Sequence, residues 1–318
     1  MRVLVTGATG FVGHHLVREL RTRGARVHAL VRDPAVEPVP DGAQAHAADV
    51  RDPAAVAAVV ATVAPEGIAH LAGAASVGES FGRPLATWDV NLNGTLAVLE
   101  AARAAARPPR VLVVTSGEVY GRVPLEDLPV THETPLRPVS PYGASKAAAD
   151  LAAFQYHDGY GLDVMRVRSF NHFGPNQDPR FVIPSIAKQL AEAEREGGDG
   201  PVELHVGNVE TRRDFTDVRD VVRAYALLLE RGRPGEPYLV CTGRSLSIRE
   251  VIDGLAALCT REVRVMSDPG LRRSGEQSDL YGSPERVRSD TGWTPTIALE
   301  QTLADTLEWW RARPDTET

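Results

Sequence analysis

Three residues have the types and spacing for moving a proton at a carbon–oxygen bond. Ser116 follows the apolar run RVLVVT, and Tyr142 and Lys146 stand four apart in SPYGASK. That interval puts both side chains on one helical face. A phenol with a pKa of about 10 carries protons poorly at neutral pH, and an ammonium one turn away is expected to favour the phenolate and lower that value. Ser116 would hydrogen-bond the substrate oxygen while Tyr142 gives up or takes the proton. Alone, a Tyr and a Lys at this spacing usually form a solvated pair, so the segments around them must carry the argument.

The first such segment opens the chain. VLVTGATGFVG runs an apolar strand into Gly7, Gly10 and Gly13, and an apolar-periodic helix follows from Phe11 to about 23. Glycines there let backbone N–H groups close on a pyrophosphate at the positive end of a helix. The spacing is GxxGxxG, not the GxGxxG of the general dinucleotide fingerprint. A bound nicotinamide would then supply the hydride that matches the proton of Tyr142.

The residues just after the second strand bear on the cofactor. An acidic residue there would bond the ribose hydroxyls, but VHALVRDP offers Val31 and Arg32. A guanidinium suits a 2′-phosphate, so NADP(H) is favoured and NAD(H) possible, with Asp33 close enough to reach the ribose instead. Asp49 ends the third strand, where an adenine amino group would lie; the plainer alternative is that it caps the helix beginning near Pro53.

The elements that must position these groups alternate. Strand-length apolar runs at 2–6, 26–31, 44–48, 67–71, 110–115 and 163–168 are separated by helical patterns at 11–23, 53–63, 84–105 and 142–159. This rhythm predicts an α/β, doubly wound parallel sheet covered on both faces. After about 169 it breaks into Pro-, Gly-, Asn- and Arg-rich loops, with helices near 181–195, 218–231, 247–259 and 299–312 and strand candidates at 202–206 and 237–240. We read residues 1–168 as a cofactor domain to which parts of about 205–240 return, and 169–318 as mainly a smaller C-terminal substrate-binding α/β cap.

Composition narrows the class. With 318 residues, 43% apolar and 24% charged, the chain can bury a full core. A net charge of −7 with dispersed arginines gives no nucleic-acid surface. Cys241 and Cys259 form no CxxC and read as reduced thiols, no leader or long apolar run appears, and a cytoplasmic location is expected. No metal is expected, because the nine histidines include no HExxH. His70 and His172 lie inside motifs where contact with cofactor or sugar is the simpler reading.

Several segments together carry a resemblance over essentially the whole length. TGATGFVG, HLAG at 70–73, NLNGT at 91–95, TSGEVYG at 115–121, SPYGASK, SFNHFGP at 169–175, RRDFTDVRD at 212–220 and GWTP at 292–295 resemble an extended short-chain dehydrogenase/reductase with a Rossmann domain, of the NDP-sugar epimerase/dehydratase group. Within it TPLRPVSPYGASKAA, FNHFGP with PRFVIPSIAKQLAEAE, and RRDFTDVRDVVRAY are most similar to GDP-6-deoxy-4-keto-mannose reductases, then to GDP-mannose 4,6-dehydratases.

The resemblance implies Ser116, Tyr142 and Lys146 as the catalytic triad with Glu118 beside them. It implies Gly7, Gly10, Phe11, Val12, Gly13, Arg32, Asp49, Val50, Leu71 and Ala72 at the cofactor, joined there by Tyr142 and Lys146. For a GDP- or other NDP-sugar it implies Asn171, Arg180, Val182, Arg213, Arg273 and Glu276, with Arg212 and Arg272 as neighbours able to replace the named arginines. An acidic protein must place such arginines locally to hold a diphosphate. The resemblance also implies a homodimer through a four-helix bundle of segments 84–105 and 142–159.

Glu118 bears on the sub-reaction. A 4,6-dehydratase wants a carboxylate for the C5 proton and an adjacent acid for the departing C6 hydroxyl, and the neighbour here is Gly117. Reductases that the chain resembles also keep a Glu, and GDP-mannose dehydratases carry Ser at the first position, so Glu118 alone does not decide. The expected reaction is reduction of the 4-keto group of an NDP-4-keto-6-deoxyhexose. A dehydratase or 4-epimerase with recycled cofactor is the alternative; an idle cofactor-sensing module is more remote, because Ser116, Tyr142 and Lys146 are all present.

Overall fold

A computed structural model describes residues 1–268, 270 and 277–313. Its centre is a parallel sheet of β1 Arg2–Thr6, β2 Arg26–Val31, β3 Gln44–Ala47, β4 Gly67–His70, β5 Arg110–Ser116 and β6 Val164–Ser169, closed at one edge by Pro237–Val240. In space the order is Pro237–Val240, β6, β5, β4, β1, β2, β3. Strands such as β1 (RVLVT) are apolar on both faces because helices cover both sides.

On one face pack α1 Phe11–Thr22 and a helix over Val218–Arg231, through Leu16, Val17, Leu20, Val221, Tyr225 and Leu228. On the other lie α2 Pro53–Val63 and, beyond the short α3 Val77–Gly82 and α4 Pro84–Trp88, α5 Gly94–Ala104 and α6 Pro141–Tyr160, through Val56, Val60, Leu99, Ala153 and Tyr156. Ser140 caps α6 by accepting from the Gly143 N–H at 3.0 Å, Pro141 follows it, and Gly161 ends the helix in the left-handed conformation. Tyr142 and Lys146 are thereby fixed in its first turns.

The segment expected as one helix over 84–105 is interrupted. Between α4 and α5, residues Asp89–Asn93 form a π-turn. Asn91 is turned inward there, buried against Ala74 and Ser145, the sort of local widening that recurs at functional sites.

The later strands are short: β7 Asn171–Phe173, β8 Val202–Val206, β9 Arg212–Arg213, β10 Phe215–Asp217, β11 Pro237–Val240, β12 Leu246–Ser247, β13 Val263–Ser267 and β14 Asp279–Leu280. β11 joins the main sheet, whereas β8 pairs with β13. α7 Val182–Glu196, α9 Ile248–Ala256 and α11 Leu299–Arg311 enclose a separate core of Ile183, Leu190, Leu204, Val251, Leu255 and Leu307; α8 Val218–Arg231 and α10 Glu285–Thr291 lie in sequence among them. Trp293 of GWTP is fully buried and its indole N–H donates to the Asp220 carbonyl at 2.8 Å, so that motif stiffens the fold and touches no site.

Candidate active site

A cleft of about 1070 Å³ opens at the C-terminal ends of the sheet strands, where ligands bind in open α/β sheets. β1 runs into Gly7 at φ +68°, and a β-carbon there would stand 2.8 Å from the Ala72 nitrogen. At Gly13 it would meet the Gly7 carbonyl oxygen at 2.2 Å. Both must therefore be glycine for α1 to start against β1 and β4. Unlike α6, α1 begins with no side-chain cap, and its first turn holds no acidic residue. Its leading N–H groups face the cleft beside Gly7, Gly10, Phe11, Val12 and Gly13, a cradle whose chemistry fits a pyrophosphate.

The end of the cleft where the sequence reading puts the adenosine is lined by Leu30, Val31, Arg32, Asp49, Val50, Leu71 and Ala72. Asp49 does not cap α2; Asp52 does, accepting from Ala54 and Ala55 N–H groups. Instead Asp49 holds Arg51 in a bidentate pair at 3.0 and 2.6 Å, which keeps its carboxyl below the usual carboxylate range. Asp33 takes the Ala35 N–H at 2.9 Å within its own turn and lies outside the lining. His70 also departs from expectation. It is buried between the Thr6 and Thr95 hydroxyls at 2.8 and 3.1 Å, outside the lining, and burial pushes its pKa down to about 3. His172 does line the cleft.

Ser116, Glu118, Tyr142 and Lys146 meet in the middle of the cleft. The Ser116 hydroxyl accepts the Glu118 N–H at 3.2 Å and shares a hydrogen bond with Tyr142. Lys146 Nζ donates to the Val114 carbonyl at 3.0 Å. The expectation that the ammonium lowers the phenol's pKa is corrected here. Burial pushes Tyr142 up to about 12, outweighing its Ser116 hydrogen bond, and the Glu118 charge adds to the rise. Burial also brings Lys146 down to about 8. In the open cleft the phenol is thus a neutral acid at pH 7.

At the other end stand Asn171, Arg180, Val182 and Arg213. Arg180 pairs with Glu79 of α3 at 2.5 Å and with Asp178 at 3.0 Å. Between the adjacent arginines of β9, Arg213 lines the cleft. Arg212 turns away to Glu250 at 2.9 Å and the Ser245 carbonyl at 2.9 Å. Arg273 and Glu276, with Arg272, lie outside the described residues.

Other cleft residues took no role from the sequence, although Gly73 and Ser169 lie in the HLAG and SFNHFGP segments. Glu37, Arg51, Gly73, Ser169 and Tyr225 all line it. Tyr225 donates to Ser169 Oγ at 2.9 Å, and Ser169 is the register partner of Ser116. A pairing along neighbouring strands would have pointed to Ser169; nothing short of the folded chain brings Glu37 and Arg51 to one wall. Among the described residues no three His, Cys, Asp or Glu side chains gather as a metal site, and no helix is long and apolar enough to cross a membrane.

Set beside known proteins, residues 4–306 match the family described as GDP-mannose 4,6 dehydratase. GDP-6-deoxy-D-mannose reductase of Pseudomonas aeruginosa is 38% identical over 98% of both chains. The solved structure of RMD from Pseudomonas aeruginosa complexed with NADPH superposes with a TM-score of 0.87 at 36% identity, over 98% of this chain and 99% of that one. Thermus thermophilus UDP-glucose 4-epimerase in complex with NAD is similar at a TM-score of 0.85 and 32% identity, over 98% and 99%.

Proposed function

The chain belongs to the GDP-mannose 4,6-dehydratase family, and we propose that it reduces the 4-keto group of an NDP-4-keto-6-deoxyhexose, GDP-4-keto-6-deoxy-mannose first, with NADPH favoured and NADH possible. It is an NAD(P)-dependent nucleotide-sugar oxidoreductase. The observation that favours reduction is the likeness to GDP-6-deoxy-D-mannose reductase of Pseudomonas aeruginosa over nearly the whole chain, while Gly117 argues only against those dehydratases that set an acid at its position. Gly117 offers no acid beside Glu118, and a β-carbon there would press the Phe170 ring at 3.3 Å, so even a small acidic side chain needs the ring to move.

When bound, the reduced nicotinamide supplies the hydride received at C4 of the sugar. The chain's own residues handle the oxygen. Tyr142, neutral because it is buried, gives its proton to the oxygen as negative charge develops there. Ser116 donates to the same oxygen and fixes the phenol's direction. Lys146, charged below about pH 8, offsets the phenolate left behind. Arg213, Arg180 and Asn171 hold the diphosphate and sugar. In this reading residues 1–168, with α8 and β11, carry the cofactor, and the rest of 169–318 carries the sugar nucleotide.

The same reading makes the protein a cytoplasmic homodimer through a four-helix bundle. Supporting this, Phe81, Leu85, Leu151 and Phe154 stand 62%, 83%, 58% and 43% exposed on α3, α4 and α6, which pack on one another, and large apolar residues exposed on adjoining elements mark contact surfaces. Light scattering of wild type and of a Leu85→Glu, Leu151→Glu variant tests it; a wild-type monomer refutes it.

The reaction itself is tested by incubating purified protein with GDP-mannose and, separately, with GDP-4-keto-6-deoxy-mannose while following the reduced cofactor. Stoichiometric NADPH loss with the keto sugar alone is expected. Conversion of GDP-mannose with no net cofactor change would make the protein a dehydratase.

A further inference from the structure

The end of β2 brings Arg32 to the adenosine wall, while the carboxylate next to it in sequence, Asp33, is engaged by the Ala35 N–H and lies outside the lining. The fold supplies another from the following turn. Glu37 lines the same wall and forms an ion pair with Arg32; the glutamate side chain is 22% exposed and the arginine 71%. The turn that returns it is fixed by backbone, since the Glu37 N–H donates to the Asp33 carbonyl at 2.8 Å whatever the side chain. Across the wall Arg51 is already held by Asp49 at 2.6 Å. Arg32 is thus the guanidinium next to β2, and Glu37 is the anion already on it.

The geometry points to Glu37 and Arg32 as one couple that reads the 2′ position of the adenosine ribose, with Glu37 setting the strength of the preference for NADP(H) over NAD(H). This rests on the dinucleotide reading of the cleft. A free 2′-hydroxyl is a donor and finds an acceptor in the Glu37 carboxylate. A 2′-phosphate is a dianion that wants the Arg32 fork, so it must displace Glu37 from that fork and then sit near its charge. Exposed pairs of this kind are weak, which leaves Arg32 able to exchange partners and both cofactors able to enter.

The test titrates the purified full chain with NADPH and with NADH in the absence of sugar nucleotide, reading cofactor fluorescence, for wild type, Glu37→Gln and Arg32→Gln. Gln keeps the shape of Glu37 and removes its charge. Its Kd for NADPH should fall about threefold or more and its Kd for NADH should rise. Arg32→Gln should weaken NADPH about tenfold or more and NADH far less. A Glu37→Gln protein whose ratio of the two Kd values equals wild type, or in which both move together, overturns the proposal alone. Full NADPH affinity in Arg32→Gln overturns it together with the assignment of the 2′-phosphate site. Absence of binding of either cofactor to wild type overturns the dinucleotide reading itself. Thermal melts without cofactor verify that both variants fold.

Discussion

The ammonium of Lys146 lies 3.1 Å from the point where a β-carbon on Gly73 would stand. The Asn91 Oδ1 would be nearer still, at 2.7 Å. That amide is locked, accepting the Ala74 N–H at 2.8 Å and donating to Ser145 Oγ at 2.9 Å. A methyl in Gly73→Ala must therefore move either the amide or the lysine head. Catalytic groups need placement to within about half an ångström, so kcat should fall about tenfold or more while the melting temperature drops by only a few degrees. Steady-state kinetics beside a thermal melt decide it; an unchanged kcat removes Gly73 from the machinery.

Gly73 shows what the sequence makes legible and what it hides. HLAG marks a segment at the cleft, because apolar strands and turn glycines are local signals. That its last residue seats the lysine depends on Asn91, and Asn91 faces inward through a π-turn that no periodicity foretells. The parallel sheet was readable because each strand is an apolar run with helices between. The strands β9, β12 and β14 were not, since two residues carry no alternation. Likewise YxxxK gave the shared face of Tyr142 and Lys146, but the direction of their pKa shifts follows from burial, a property of the whole fold. Choosing Arg213 over Arg212 needed the partners of Arg212 on α9 and in the loop before β12.

The pH dependence of turnover should reflect Lys146. Its folded pKa of about 8 lies below the ordinary lysine value of about 10.4. The cation is present below pH 8 and is lost above it, so kcat/KM for keto-sugar reduction should decline on the alkaline side with a midpoint near 8. Stability moves the other way. Between these two values the unfolded chain binds the extra proton, so the contribution from Lys146 becomes more favourable as pH rises. A pH–rate profile with parallel urea titrations separates the two trends. A rate that stays flat from pH 7 to 10 would deny Lys146 its role.

Acid should weaken the fold through His70. Buried between Thr6 and Thr95, it has a folded pKa of about 3 against an ordinary 6.5. Below pH 6.5 the unfolded chain takes up a proton that the folded one refuses, so stability falls steadily as pH drops through that window. The slope from this residue is about 1.4 kcal/mol per pH unit. In His70→Gln, which retains a donor and an acceptor for the two threonines, the slope of unfolding free energy between pH 6 and 4 should shrink by that amount. Urea titrations at several pH values read it directly. Equal slopes in both proteins would mean that His70 is protonated where it lies.

Asp150 joins the catalytic helix to the sheet. Its fully buried carboxylate receives Arg166 Nη1 at 2.8 Å, Arg168 Nε at 3.0 Å and Arg168 Nη2 at 2.9 Å, and Arg168 also donates to the Tyr120 hydroxyl at 3.0 Å. One anion therefore serves two guanidinium groups, and α6 is tied to β6 below Tyr142 and Lys146. Asp150→Asn leaves two cations in a dry site with a neutral partner, which should cost about 3–5 kcal/mol. The start of α6 has its own anchors in the Ser140 cap and the Asn91–Ser145 bond. Whatever fraction of the variant remains folded should thus bind NADPH with near wild-type affinity. A urea midpoint far below wild type with an unchanged Kd supports this division of labour. A midpoint equal to wild type would show that water reaches both arginines and that the carboxylate is dispensable.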